Sequence, residues 1–591
     1  MTPRPARNVV RYLALVLASV IAAAAGSGAL AADGGARVTG LADELLAHLK
    51  ATSAYVRLQS GLPIGEFDPV TPENARANAA FSRSMLARLD AIDLASLAHE
   101  DWLLAWMLHQ TFTTGSFADQ NYWFDFAVAP YAGGLPLNAA NVALASQPLK
   151  SADERTRYLK LLDSYARLLE QTAAKTRSQA DRGIRVPKPA IPGVVATFRG
   201  LRAPVAQNVI PAPTRLEGVP ARDAAAFGAD VQKRADGAIR RATDAILAIF
   251  DDAYVAAAPA EVGIGQYPGG KERYRRLITD YTGLNLTPEA IHDLGEKRVG
   301  ELEGRMQAVR DSLGFKGTRD EFHEQLRKDP RFFAKSPAEL EEHYQVYIAR
   351  MKTVVGQYFS TLPKAPYAVN RLAPAAEKGM TYGYYDPPSP ADPEGRYYFN
   401  GSDLDKRSML TAEHLMFHEL IPGHHLQLAL QFENRHVHPV RKFLDFGAFS
   451  EGWGEYAASL GEEMGLYSDP YDLYGHLILQ SFLTSRLVVD TGMNYFGMPL
   501  AEARAYMKAH SLESDVQLAS ETLRYSTDIY GQALCYRLGF EKFWETRHRA
   551  EQALGARFDL RKFHAAAIGE GAMPLNVLDQ HIDWFIGQES R

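Results

Sequence analysis

The segment HELIPGHHLQ, residues 418–427, begins like the metal-binding helix of a zinc hydrolase and then departs from it. In the usual pattern, H-E-x-x-H, the second histidine follows four residues after the first, so one helix face presents both imidazoles to the same ion. Here that position holds Pro422, which offers no ligand. If the segment binds a metal, the second imidazole must come from His424 or His425.

Pro422 and Gly423 give a physical reason for a later ligand. Proline lacks an N–H donor and its ring clashes with the preceding turn, while glycine tolerates unusual dihedral angles, so the pair should bulge or bend the helix. On an undistorted helix His425 would return to the His418 face, because it is seven residues further on. His424 would share that face only if the helix is distorted at Pro422 and Gly423.

Two downstream carboxylates could complete the site. Glu451 and Glu455, in SEGWGEYAASLGEEMG, are four residues apart and therefore share one helical face. One can ligate the ion, and the other can accept the second N–H of a ligand histidine. Two histidines and one glutamate leave a fourth position for water, as in catalytic zinc sites. Glu419 would then be the general base, and one Zn²⁺ ion is the expected cofactor.

Two other interpretations fit the same residues. The side chains could be ordinary, hydrogen-bonded polar residues of a folded helix pair. Alternatively, His414 and His418 are four residues apart and could chelate a metal, with Glu413 or Glu419 beside them. That second arrangement leaves Glu451 and the Pro-Gly pair without a role.

Composition limits the class of protein. The chain has 591 residues, 46% of them hydrophobic and 23% charged, which is typical of a globular protein with two or three cores. Cys535 is the only cysteine, so an internal disulfide and sites built from several thiolates are excluded. A net charge of -6 with mixed signs predicts no nucleic-acid partner.

Residues 1–31 have the three-part pattern of a cleaved secretory signal: three arginines, the apolar run LALVLASVIAAAAG, and Ala29-Leu30-Ala31. The mature chain is expected to start near Ala32 and to be periplasmic or extracellular. Nothing later in the chain offers 18 uninterrupted apolar residues, so no stable membrane insertion is expected after cleavage.

The elements that must position these residues are predicted to be mainly α-helical, with one small β-sheet. Apolar residues recur at helical spacing through a region of residues 32–260, and the segment 257–271 is the best candidate boundary. The region of residues 261–591 carries the zinc motif. Just upstream of it, the aromatic run at residues 395–400 is typical of a short strand.

Several motifs together resemble the bacterial family called domain of unknown function 885 (DUF885). They are HELIPGHHLQ, EGWGEY at 451–456, RLVVDTG at 486–492, RYSTDIYGQALCYRLG at 524–539 and, upstream, GQYPGGKERYRRLITDYTGLNLTPEAIHDLG at 265–295. The resemblance covers one continuous unit of about residues 40–590. The family usually has a histidine and a proline where this chain has Asn494 and Tyr530, so activity or specificity could differ here.

The resemblance implies a gluzincin-like fold of the peptidase MA clan, mainly helical and with a deep cleft. The family motif H-E-x-x-P-G-H implies that His424 is the second zinc ligand after His418, with His425 its more replaceable neighbour. It also implies Glu451 as the third ligand. Glu455 falls where related peptidases place a carboxylate that orients a histidine.

Peptide hydrolysis would also need a donor for the developing oxyanion, and Tyr525 and Tyr536 are the candidates. We favour Tyr525, because Arg524 beside it could pair with a substrate carboxylate. Arg486 and Asp490 are one helical turn apart, which favours a structural ion pair between them and, second, a carboxylate clamp by Arg486.

The strand that ends at Asn400 could add an extended peptide to the edge of the sheet. The expected function is therefore an exported zinc metallopeptidase that hydrolyses peptide bonds of oligopeptides, which enter a cleft walled by the first helical half. The alternatives are a zinc hydrolase of another amide or ester, and a catalytically degenerate binding protein of the same fold.

Overall fold

The computed structural model describes residues 33–130, 134–202, 209–377, 382–389 and 392–591. The predicted leader, residues 1–31, lies outside these ranges. The described chain is mainly helical with one small sheet, as the sequence predicts. Among the described residues, no helix combines the length and the hydropathy needed to cross a bilayer.

The α-helices follow one another with short connections. They cover residues 33–52 and Ala54–Gln59, Pro72–Asp90, His99–Gly115, Ala118–Asn121, Leu135–Ser146, Ala152–Asp181, Ile191–Arg202, Ala221–Arg234, Arg240–Leu247, Asp252–Ala257, Gly270–Thr282, Pro288–Ser312, Arg319–Lys328, Pro337–Tyr358, Pro374–Glu377, Ala412–Glu419, His424–Glu433, Gly447–Glu463, Pro470–Thr491, Leu500–Ala509, Asp515–Leu523, Cys535–Leu554, Leu560–Gly569 and Leu575–Glu589.

The sheet has three strands: β1 (Tyr367–Arg371), β2 (Gly383–Asp386) and β3 (Gly395–Phe399). Their order is β1-β3-β2, with β3 parallel to β1 and antiparallel to β2. The strand predicted at residues 395–400 is therefore present. However, it is the central strand, with both edges already hydrogen-bonded, so the predicted addition of a peptide to its edge is wrong.

Two large apolar cores show how the two predicted regions are connected. One core is formed within residues 54–258, and its end agrees with the composition change near residue 260. The other core combines residues 38–112 with residues 351–585. The first helices of the chain thus pack against the C-terminal half, because their apolar faces find partners there rather than in their own region.

A close helix crossing sets the position of Glu451. A Cβ atom on Gly452 would lie 2.3 Å from the Cα atom of Gly539. Only two glycines allow the backbones of Gly447–Glu463 and Cys535–Leu554 to approach so closely. This contact places the helix that carries Glu451 directly beside the helix that carries Tyr536.

Candidate metal centre

The helix that begins the HELIPGHHLQ motif is interrupted rather than bent. It ends at Glu419, and a new helix begins at His424. A Cβ atom on Gly423 would lie only 1.8 Å from the carbonyl oxygen of His418, so the tight connection requires glycine. The Trp453 indole N–H donates to the carbonyl oxygen of Pro422 at 3.0 Å and holds the interruption in place.

The interruption brings together the three predicted ligands. The Nε2 atoms of His418 and His424 lie 3.5 and 3.4 Å from one carboxylate oxygen, Oε2 of Glu451. Charge-assisted hydrogen bonds are shorter, about 2.7–2.9 Å. For bonds of about 2.0–2.2 Å to zinc, neighbouring ligand atoms of a tetrahedral site are about 3.3–3.6 Å apart. These separations therefore fit donors arranged around one ion better than a hydrogen-bonded cluster.

The site opens on one side. The His418 side chain is 7% exposed, whereas those of His424 and Glu451 are 12% and 21% exposed. Solvent therefore reaches the site from the side of His424 and Glu451. A water molecule could therefore reach an ion held by these residues from this side, as a catalytic zinc site requires.

Glu455 lies behind His418, as predicted for a supporting carboxylate. Its Oε1 atom is 2.8 Å from Nδ1 of His418 and 3.2 Å from Nε2 of His414. These are hydrogen-bond distances, although the approach to His418 is too oblique for a well-aligned bond. His414, His418 and Glu455 also lie close enough together to hold an ion, but both ring nitrogens of His414 already have hydrogen-bond partners, His476 and Glu455. The alternative pairing of His414 with His418 on an ion is thus not favoured.

The supporting chain extends further than sequence reasoning found. Nδ1 of His414 lies 2.7 Å from Nδ1 of His476, and Nε2 of His476 lies 3.1 Å from Oε1 of Glu462. His476 is fully buried in the apolar helix Pro470–Thr491. The only sign of this chain in the sequence is a single histidine within an apolar helix, because the partners of His476, which are His414 and Glu462, come from other helices.

Glu419 is half-buried next to the three ligands. Among the described residues, none forms a hydrogen bond or ion pair with its carboxylate. Burial raises the pKa of Glu419, and the carboxylates of Glu451 and Glu455 add to the rise, while His418 and His424 oppose it. A carboxylate with a raised pKa and no competing partner has the properties of a general base.

His425 points away from the three ligands, although it follows His424 directly. Its Nε2–H donates to the carbonyl oxygen of Ala365 at 3.1 Å, and its Nδ1 accepts from the Tyr385 hydroxyl at 2.8 Å. Both ring nitrogens are therefore engaged with the sheet region. His425 fixes the start of the second helix to β2 and is not placed to ligate the ion.

The two candidate tyrosines have different surroundings. Tyr536 lies nearly parallel to the His418 ring, with centroids 6.2 Å apart, and burial raises its pKa, with the charge of Glu451 adding to the rise. Tyr525 is buried and its hydroxyl donates to Glu521. The ring contact with His418 favours Tyr536 as the donor, and the preference for Tyr525 stays a prediction.

Arg486 does not pair with Asp490 as expected. Asp490 accepts hydrogen bonds from the Tyr274 hydroxyl and from the Asn494 amide. Arg486 instead lies 3.5 Å from Glu521, which also accepts a hydrogen bond from Arg524 at 3.2 Å. Both predicted substrate-binding arginines thus converge on one carboxylate.

The two predicted polar residues Asn400 and Asn494 have backbone roles. The Asn400 side chain is buried and donates to the carbonyl oxygen of Glu377, which organises the loop after β3. Asn494 is fully buried, accepts from the Ile264 N–H and donates to the carbonyl oxygen of Tyr525. Both amides thus engage the backbone, and Asn494 supports the fold by joining the Ile264 N–H to the carbonyl oxygen of Tyr525.

Comparison with known proteins places the chain in a family. Residues 56–582 match the family described as bacterial protein of unknown function (DUF885). The match covers most of the chain, which therefore belongs to this family. No curated protein matches the chain.

Two solved structures share the fold. A protein of Colwellia psychrerythraea, provisionally described as a lipoprotein, is 23% identical, with a TM-score of 0.85 over 94% of this chain and 99% of its own. One from Shewanella oneidensis, described in the same way and of unknown function, is 17% identical, with a TM-score of 0.72 over 91% and 98% of the two chains. At these identities, the likeness concerns the fold alone.

Proposed function

We propose that this protein is an exported, gluzincin-type zinc metallopeptidase that hydrolyses peptide bonds of oligopeptides. The observation that carries the proposal is the convergence of His418, His424 and Glu451 at separations that fit a tetrahedral zinc ion. Glu419 stands directly beside them without another partner among the described residues.

The donor set fits zinc in its chemistry as well as its spacing. Two imidazole nitrogens and one carboxylate oxygen are ligands of catalytic zinc sites, and calcium or magnesium would require mainly oxygen ligands. Glu455 supplies the carboxylate that such sites place behind a ligand histidine. Zinc, when bound, would polarise a water molecule and lower its pKa.

The protein's own residues would then move the proton. Glu419 accepts a proton from the attacking water, whose oxygen forms a bond to the carbonyl carbon of the peptide. The C–N bond breaks, and Glu419 returns the proton to the leaving amine, so that one water molecule is consumed for each bond. The Tyr536 hydroxyl is proposed to donate to the carbonyl oxygen as negative charge develops there.

Export and the substrate cleft are parts of the same proposal. The leader-like sequence of residues 1–31 supports export, and the provisional description of both structural relatives as lipoproteins agrees with a place in the bacterial envelope. The N-terminal helices are proposed to wall a cleft that admits oligopeptides and excludes folded proteins.

The test is cleavage of a peptide library by the zinc-loaded protein, monitored by mass spectrometry. We expect cleavage that stops on zinc removal and returns when zinc is restored. Glu419→Gln should keep the zinc while turnover falls by about a hundredfold or more, because a positioned base is lost. A zinc-loaded wild-type protein that cleaves no peptide would refute the proposal. If that protein cleaves other amides or esters instead, it is a zinc hydrolase of those bonds.

A further inference from the structure

We infer that His476 and Glu462 are positioning residues of the zinc centre, and that they act on the ligand His418 through His414 and Glu455. This inference rests on the zinc centre of the proposed function and extends the support of that centre to the surface of the protein. It derives from side chains that hold one another in place across three helices.

Glu455 needs a second contact if it is to orient His418. Its Oε1 atom lies 2.8 Å from Nδ1 of His418, but the approach is too oblique for a well-aligned hydrogen bond. The same oxygen forms a hydrogen bond with Nε2 of His414 at 3.2 Å. His414 therefore fixes the position of the carboxylate beside the ligand.

His414 is in turn held by His476. Nδ1 of His414 lies 2.7 Å from Nδ1 of His476, so both ring nitrogens of His414 are engaged. The His414 side chain is buried and that of His476 fully so, and bulk water therefore does not replace a lost partner. Without His476, the His414 ring is free to turn, and Glu455 moves with it.

His476 has a fixed orientation of its own. Its Nε2 atom lies 3.1 Å from Oε1 of Glu462, and its ring stacks on Tyr467 with centroids 4.5 Å apart. The Tyr467 hydroxyl donates to the carbonyl oxygen of Ala458 at 2.9 Å. Both anchors, Glu462 and Ala458, belong to the helix Gly447–Glu463, which also carries the carboxylates of the centre.

The chain thus braces the two helices that supply the zinc ligands. His476 comes from a third helix, Pro470–Thr491, and connects Glu462 near the end of one ligand helix to His414 in the other. A network of this kind resists displacement of any one member, because each ring would have to break two contacts at once. We therefore expect His476 to act on zinc affinity as well as on stability.

The outer end of the chain reaches the surface. The Glu462 side chain is 33% exposed and pairs with Arg305 at 2.5 Å. Water can take over part of the contact of Glu462 with His476, whereas nothing replaces the buried contact of His476 with His414. The effect of Glu462 on the centre should therefore be smaller than that of His476.

The experiment measures zinc affinity by competition with a chromogenic chelator at fixed pH, with circular dichroism as the check of folding. His476→Phe removes both ring nitrogens and should weaken zinc binding by about 3- to 30-fold, as for residues that modulate a site without touching its ligand. Glu462→Gln should weaken it less. His476→Asn, whose amide can still reach His414, should retain part of the affinity.

His581→Phe is the matched control. His581 is buried to a similar extent, and both of its ring nitrogens are engaged, by His99 and by the carbonyl oxygen of Ala566. This variant should lose stability in urea and keep the zinc affinity of the wild-type protein. A loss of affinity in His476→Phe but not in His581→Phe would separate positioning of the centre from general support of the fold.

A double-mutant cycle tests whether His476 acts through Glu455. In the Glu455→Gln protein, His476→Phe should weaken zinc binding by no more than about twofold further, because the connection is already broken. Full additivity of the two effects would overturn the inference, as would an unchanged zinc affinity in folded His476→Phe. If His476→Phe does not fold, Glu462→Gln at the partly exposed end takes its place in the cycle.

The outcomes separate this inference from the proposed function. Zinc affinity that depends on His476, in a wild-type protein that cleaves no peptide, would refute the peptidase function and leave the positioning role standing. Peptide cleavage by a wild-type protein whose zinc affinity is independent of His476 and Glu462 would overturn the positioning role alone. A wild-type protein that binds no zinc would overturn both.

Discussion

Gly423→Ala is expected to weaken zinc binding strongly, although residue 423 is not a ligand. The new Cβ atom would lie 1.8 Å from the carbonyl oxygen of His418 and 2.5 Å from that of Phe417. Because ordinary C···O contacts are about 3.3 Å or longer, the connection must open by more than about 1 Å. Zinc ligands tolerate displacements of only about 0.2 Å, so His424 should leave the site.

The expected loss of zinc affinity in Gly423→Ala follows from the usual affinity of zinc sites. Structural zinc binds with about 10–16 kcal/mol through four ligands, or about 3 kcal/mol for each ligand. Loss of one ligand then weakens binding by about two orders of magnitude. The assay is competition with a chromogenic chelator at fixed pH, accompanied by circular dichroism to confirm folding.

Gly304→Ala is the control, because a Cβ atom there meets nothing within 4 Å in the helix Pro288–Ser312. It should leave zinc affinity unchanged and stabilise the protein by about 1 kcal/mol. If Gly423→Ala does not fold, Trp453→Phe removes the hydrogen bond to Pro422 and should weaken zinc binding less severely. A folded Gly423→Ala variant with wild-type zinc affinity would refute the role of the interrupted helix.

Three further predictions concern the residues around the centre. Glu455→Gln should weaken zinc affinity by about 10- to 100-fold in chelator competition; an unchanged affinity would remove its supporting role. His425→Ala should lower the free energy of unfolding in urea by about 1–3 kcal/mol, because Tyr385 and Ala365 lose a partner, while zinc stays bound; a folded variant without zinc would instead make His425 a ligand. Burial lowers the pKa of His564 to about 3. The unfolded chain therefore takes up the proton first as pH falls below about 6.5, and this residue should reduce the free energy of unfolding by up to about 1.4 kcal/mol per pH unit down to about pH 3. His564→Gln should have a shallower pH dependence, and equal slopes in the two proteins would contradict this.

Local patterns in the sequence were sufficient for the class of fold and for the segments that carry the candidate metal ligands. The 3.6-residue apolar period predicts the helices, and the aromatic run predicts the strand that forms β3. Pro422-Gly423 predicts the distortion, because the dihedral limits of proline and glycine act within a few residues. The spacing of Glu451 and Glu455 places both carboxylates on one helical face.

Contacts between distant segments decided which side chains meet in and around the candidate metal centre. Whether His424 or His425 faces Glu451 depends on the interrupted helix and on the Trp453 bond to Pro422, which joins residues 31 positions apart. The partner of Arg486 could not be predicted, because Glu521 comes from another helix. Periodicity reports which face of an element is buried, but only tertiary packing decides which other element covers that face.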